Sequence, residues 1–236
     1  TLLLSHNLFS ESKDPVRGKN GMVVTASELA SKVGVEILKK GGNAVDAAVA
    51  VGFALAVTYP AAGNIGGGGF MVIHLSDGTN TTIDYREKAP LAATEFLYQD
   101  SLGNFLPEKS QIGVTSSGVP GSVAGLIYAL EKYGTLSLAE VIQPAIDLAR
   151  NGFVLEYRLA RSLEYETESF NKFESSKKTF TKNGTPYIEG ELFIQNDLAY
   201  TLEQIKLKGL DGFYSGRIAQ LIVNQINQQG GIITFD

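Results

Sequence analysis

Residues 41–75 read GGNAVDAAVAVGFALAVTYPAAGNIGGGGFMVIHL, and three elements follow from that order. Asn43 can cap a helix, with Asp46 in its first turn where a carboxylate complements the helix dipole. Ala44 to Val57 is apolar nearly all round and rich in alanine, so this helix is predicted to be buried in the core with another layer packed closely against it. Thr58-Tyr59-Pro60 ends it, because the residue before proline disfavours the helical region. Gly63 and the run Gly66 to Gly69 then form a loop, and Phe70 to Leu75 reads as a strand. Asp77-Gly78 suits a hairpin turn, and Thr81 to Tyr85 is the returning strand. A buried helix, a glycine loop and a hairpin in one chain point to an α+β fold.

Upstream, residues 1–20 are polar and irregular, and Gly21 to Val24 is the first strand signal. Thr25-Ala26-Ser27-Glu28 reads as a capping box that opens a helix with Leu29, Val33 and Ile37 at four-residue spacing, and Gly41-Gly42 stops it. Downstream, a loop at Ser116 to Gly121 leads into a helix over 122–133. A second capping box, Ser137 with Glu140, opens a helix to Arg150. Residues 156–173 read as one charged amphipathic helix and 174–194 as mostly loop, with a hairpin turn at Asn183-Gly184. Asn196-Asp197 is expected to cap a helix to Lys208, and Gly216 to Gln229 forms another, so the second half is helix-rich. Residues 232–236 look like the start of a strand without a partner. The expectation is one incomplete domain over 1–236 with an irregular tail at 1–20.

Composition excludes several functions. Hydrophobic residues at 44% and charged residues at 19% fit a globular domain. A net charge of −5 argues against a nucleic-acid partner. The chain has no cysteine, which removes thiolate chemistry and cysteine zinc sites, and its two histidines, His6 and His74, are too few for a histidine-ligated metal. No metal or other cofactor is expected. The longest apolar run, Ala47 to Val57, is shorter than the roughly 20 residues a bilayer span needs. The opening Thr1-Leu2-Leu3-Leu4 lacks an initiator Met and a basic region, which fits a chain whose leader has been removed.

Few residues could carry chemistry. The glycine loop matches neither phosphate-binding pattern and precedes a strand where dinucleotide loops follow one. Its glycines either let the helix and hairpin backbones approach or line a pocket. Arg86, at the end of the returning strand, offers a planar fork of donors that matches a carboxylate bidentately. The plain alternative is an ion pair with Asp84 or Glu87. Asp46 reads as a helix cap. His74 lies on the strand face opposite Ile73 and Leu75 and so faces solvent. Ser116 and Ser117 have no base near them in sequence. Asn80-Thr81-Thr82 and Asn183-Gly184-Thr185 match the glycosylation acceptor pattern.

Five blocks in one order resemble the large subunit of γ-glutamyltranspeptidases. They are Leu38 to Ala48, Pro60 to Phe70, Asp84 to Pro90, Gly118 to Gly125 and Gly212 to Gly216. The resemblance implies part of an αββα sandwich of the N-terminal-nucleophile hydrolase type. It implies a precursor, or zymogen, that cuts itself before a threonine, which then carries the γ-glutamyl group from glutathione or a similar donor to water or an acceptor amine. By the same resemblance Arg86 binds the donor α-carboxylate, and Glu87 orients the guanidinium or approaches the α-amino group. No Thr-Thr-His block occurs in this sequence, and Thr1 does not fit one. No catalytic residue is therefore expected in this chain, and its expected partners are the rest of the large subunit and a small subunit bearing the threonine. Export to the periplasm or beyond the cell is implied. The alternatives are a β-lactam acylase-like amidase on the same scaffold and a non-catalytic binding relic.

Overall fold

The computed structural model describes residues 15–235. Thr1, His6 and the first part of the expected tail lie outside them. Helix α1 (Glu28–Lys39) leads to α2 (Ala44–Thr58), then to strands β1 (Phe70–His74) and β2 (Asn80–Asp84). A short helix α3 (Pro107–Gln111) and a single 3-10 turn precede α4 (Ser122–Tyr133) and α5 (Leu138–Asn151). Strand β3 (Phe153–Val154), helices α6 (Tyr157–Tyr165), α7 (Thr167–Phe170) and α8 (Glu174–Phe180), and strand β4 (Leu192–Phe193) follow. The described chain closes with α9 (Asn196–Lys208), α10 (Asp211–Tyr214) and α11 (Gly216–Gln228).

Helix α2 is the centre, packed by α1, α4 and α5. Its neighbours come close because two glycines leave room. A Cβ at Gly34 of α1 would meet Val51 at 2.8 Å, and one at Gly52 of α2 would meet Leu126 of α4 at 2.9 Å. Both ends of α2 are tied to distant chain. Asn43 and Asp46 form a reciprocal capping box, and the fully buried Asp46 carboxylate also accepts from the amides of Thr135 and Leu136 and from the Thr135 hydroxyl, at 2.7–3.0 Å. At the other end the buried Gln195 amide donates to the carbonyl of Val57 at 2.8 Å. Asp46 is thus a cap, as read, and also the link between α2 and the turn joining α4 to α5.

β1 and β2 pair antiparallel with Phe70 opposite Asp84 and Val72 opposite Thr82. Ile73 and Ile83 are buried on the inner face, while Phe70, Val72 and His74 stand exposed on the other. His74 therefore faces outward as expected, with its Nδ1 2.8 Å from Asn80 Oδ1.

Several boundaries differ from the sequence reading. Residues 21–25 form no strand among the described residues; Val23 packs instead at Gly34. Ser27, not Thr25, caps α1, because the Thr25 hydroxyl is engaged with the backbone of Ser27 and with Ser31. The helix expected over 156–173 breaks at Glu166 into α6 and α7. The expected loop contains α8, whose Glu174 at the start and Lys177 and Lys178 at the end suit the helix dipole. Its Phe180 stacks on Phe170, 4.9 Å between ring centroids. Asn196 is not a cap; α9 starts on it, after Gln195. At Asn183-Gly184 the expected turn is present, with φ of 54° and 97°.

Candidate functional site

Arg86 lies two residues beyond the end of β2. The Asp84 carboxylate accepts from the Arg86 amide at 3.0 Å, turning the chain out of the strand. Asp84 makes no ion pair with the guanidinium among the described residues; the one partner is Glu87, with its Oε2 4.0 Å from Arg86 Nε. The Arg86 side chain is 65% exposed, and its guanidinium carbon stands 5.8 Å from the centre of the Phe70 ring.

Two segments distant in sequence from each other hold this corner in place. The glycine loop pairs with it through Gly69 and Tyr85, each of whose amides donates to the other's carbonyl at 3.3 and 3.0 Å. The loop before α4 pairs on the far side, where Lys88 and Val119 exchange bonds at 3.1 and 2.8 Å. The two loops also meet directly, with the amides of Gly121 and Ser122 donating to the carbonyl of Gly67 at 2.7 and 2.9 Å.

Glycine is required at these junctions because backbone lies against backbone. A Cβ at Gly68 would sit 2.6 Å from Arg86 Cα, and one at Gly121 would sit 2.1 Å from the Tyr85 carbonyl oxygen. A Cβ at Gly118 would meet the Cβ of Glu87 at 2.9 Å and the Lys88 carbonyl oxygen at 3.0 Å. Of the two readings of the glycine loop, close approach holds at Gly63, Gly68 and Gly69, while a Cβ at Gly66 would meet open space.

Two tyrosines that the sequence reading passed over complete the frame. Tyr85 packs against Gly125 of α4 and Gly69, and burial pushes its phenol up. The Tyr214 hydroxyl donates to the carbonyl of Pro120 at 2.9 Å and accepts from the amide of Ala124 at 3.2 Å. Burial raises its phenol too, against the opposing effect of the Ala124 bond. The usable signal was Gly125, whose missing side chain leaves room on the α4 face for the Tyr85 ring.

Other candidates lie elsewhere. The Ser116 hydroxyl donates to the Gly113 carbonyl at 2.6 Å. Among the described residues no cluster of three metal-ligating side chains forms, and no helix is long and apolar enough to cross a membrane. A cleft of about 640 Å³ runs between Pro60 to Gly66 and helices α8 and α9, and Arg86 is not in its lining.

A family model described as gamma-glutamyltranspeptidase matches residues 30–236. The chain belongs to the γ-glutamyltranspeptidase family. It is 54% identical over 229 residues to a glutathione hydrolase proenzyme of Pseudomonas sp. strain A14, covering 97% of this chain and 40% of that protein. Its fold superposes on the crystal structure of Helicobacter pylori γ-glutamyltranspeptidase with a TM-score of 0.92 at 52% identity, covering 94% of this chain and 64% of that one. Cephalosporin acylase from Bacillus halodurans is similar as well, with a TM-score of 0.86 at 27% identity over 98% of this chain and 44% of that one. The α+β, helix-rich architecture is thus that of γ-glutamyltranspeptidases and related hydrolases. The chain spans about 40% of the length of the curated relatives it matches.

Proposed function

We propose that this chain is the N-terminal part of the large subunit of a γ-glutamyltransferase, or glutathione hydrolase, and that it forms the carboxylate-binding side of the donor pocket. The observation that carries the reading is the convergence of the glycine loop, the Arg86 corner and the loop before α4, which fixes an exposed guanidinium on rigid backbone. Arg86 binds the donor α-carboxylate through two parallel N–H bonds, the strongest neutral-pH match for that group. Glu87, beside it, orients the guanidinium or meets the α-ammonium.

The reaction then runs on chain beyond this sequence. A threonine hydroxyl adds to the γ-glutamyl carbonyl while its proton passes to a base, and the amine leaves with a proton as the acyl-enzyme forms. Water or an acceptor amine adds to the ester carbonyl and releases the threonine. Arg86 holds a group remote from the scissile bond, so it acts equally on ground and transition states and sets KM. The complete protein is a self-cleaving precursor that works in the periplasm or outside the cell.

The 236-residue chain by itself should not turn over substrate, because it holds a carboxylate ligand without a nucleophile or oxyanion hole. The test compares the complete protein with this chain on a γ-glutamyl anilide. Self-cleavage and anilide turnover by the complete protein only are expected; turnover by the purified chain, abolished by mutation within it, overturns the assignment. Similarity to the cephalosporin acylase favours a second reading, an amidase for acyl side chains without an α-carboxylate. Preference of the complete protein for such an amide over the γ-glutamyl anilide would select it.

A further inference from the structure

Phe70 is the first residue of β1 and is 64% exposed, although Ile73 on the same strand is buried. It pairs across the hairpin with Asp84, which puts Arg86, two residues on, at the diagonal position of the same face. Such neighbours lie about 7–8 Å apart at the backbone, within reach of an aromatic ring and a long side chain. The guanidinium carbon of Arg86 stands 5.8 Å from the ring centre, inside the range where a cation is drawn to an aromatic face.

The guanidinium is thereby restrained by the Phe70 ring and by Glu87 acting on Nε at 4.0 Å. Its terminal nitrogens make no ion pair among the described residues. A long exposed side chain otherwise spreads over many rotamers, and a ligand that needs one of them binds more weakly in proportion.

We infer that Phe70 is a positioning residue for Arg86: its ring holds the guanidinium in the orientation that receives the donor α-carboxylate. The inference rests on the reading of Arg86 given under Proposed function. Phe70 does not touch the reacting atoms. A leucine at 70 keeps apolar bulk and removes the aromatic face, whereas a tyrosine keeps the face.

The test is steady-state kinetics of the complete, matured protein on a γ-glutamyl anilide, with Phe70→Leu and Phe70→Tyr each made alone and in an Arg86→Ala background. Phe70→Leu should raise KM about two- to five-fold, the size of an exposed cation–aromatic contact, with kcat unchanged. Phe70→Tyr should restore the wild-type KM, and Phe70→Leu should add nothing once Arg86 is gone. If Phe70→Leu does not mature, Phe70→Met serves in its place. A KM unchanged in Phe70→Leu while Arg86→Ala raises it overturns the role of Phe70 and leaves that of Arg86. An equal effect of Phe70→Leu with and without Arg86 also overturns it, since the ring would then act on the fold at large. An unchanged KM in Arg86→Ala overturns the reading of Arg86 and this inference together.

Discussion

Gly68 lies so close over Arg86 that a methyl group built on it would stand 2.6 Å from the Arg86 Cα, with the Tyr85 carbonyl oxygen at 2.6 Å and the Glu87 amide nitrogen at 2.7 Å. All three neighbours are backbone atoms, so none can swing aside as a side-chain end would. The position of Arg86 therefore depends on the absence of a side chain at residue 68.

Gly68→Ala should move the Arg86 corner and cost about 1–3 kcal/mol, the usual range for forcing extra volume into packed structure. Gly66→Ala, two residues away, meets nothing within 4 Å and should stay within about 0.5 kcal/mol of wild type. Thermal unfolding of the complete protein and KM on a γ-glutamyl anilide check both. Equal behaviour of the two variants would separate the glycine loop from the placement of Arg86.

Tyr214 acts on the same corner from further away. Removing its hydroxyl in Tyr214→Phe breaks the bonds to Pro120 and Ala124, which should cost about 0.5–1.5 kcal/mol. The loop carrying Val119 loosens, and amide exchange at Val119 and Lys88, which bond each other, should quicken. Unchanged exchange at those two amides would mean the loop is held without Tyr214.

Asp46 makes a prediction about pH. Burial acts to raise its carboxyl, but bonds from Leu136, Thr135 and Asn43 outweigh burial and hold it below the ordinary 3.8. The folded state then binds fewer protons than the unfolded state, so the stabilisation is fully present above about pH 4 and is lost as pH falls through the lowered value. Asp46→Asn should destabilise at neutral pH by about 1.5–3 kcal/mol and flatten the acid limb of the melting temperature. A mutant with the same dependence on pH below 4 as wild type would contradict this.

Much of the fold was legible because strong local signals coincide with what tertiary structure requires. The apolar run after Asn43, the capping box at Ser137 and the turn at Asp77-Gly78 all form as read. Thr25 and Ser27 were harder to separate, since both can cap and only the engagement of the Thr25 hydroxyl with Ser27 and Ser31 decides between them. Helix α8 is too short to show a period. The apolar surround of α2 calls for cover, and α1, α4 and α5 of this same chain supply it; large apolar side chains stay exposed elsewhere, Phe70 and Val72 on the hairpin among them. At the candidate site, Arg86 and Glu87 are proposed from the resemblance of their block. What could not be read was that Gly68, Gly118 and Gly121 close on that block, because each contact joins segments remote in sequence.

The most direct test of the account is the Michaelis constant of the matured complete protein and its Arg86→Lys and Arg86→Ala variants. Two substrates are compared, a γ-glutamyl anilide and the same anilide without the α-carboxylate. Loss of the charge-assisted pair in Arg86→Ala should raise KM for the γ-glutamyl anilide roughly ten- to hundred-fold, with kcat nearly unchanged. Arg86→Lys should shift it in the same direction by less, since it keeps the charge and loses the fork. Neither variant should alter turnover of the analogue, which offers nothing for residue 86 to bind. A KM for the γ-glutamyl anilide unchanged in both variants would contradict the account and remove Arg86 from the donor pocket.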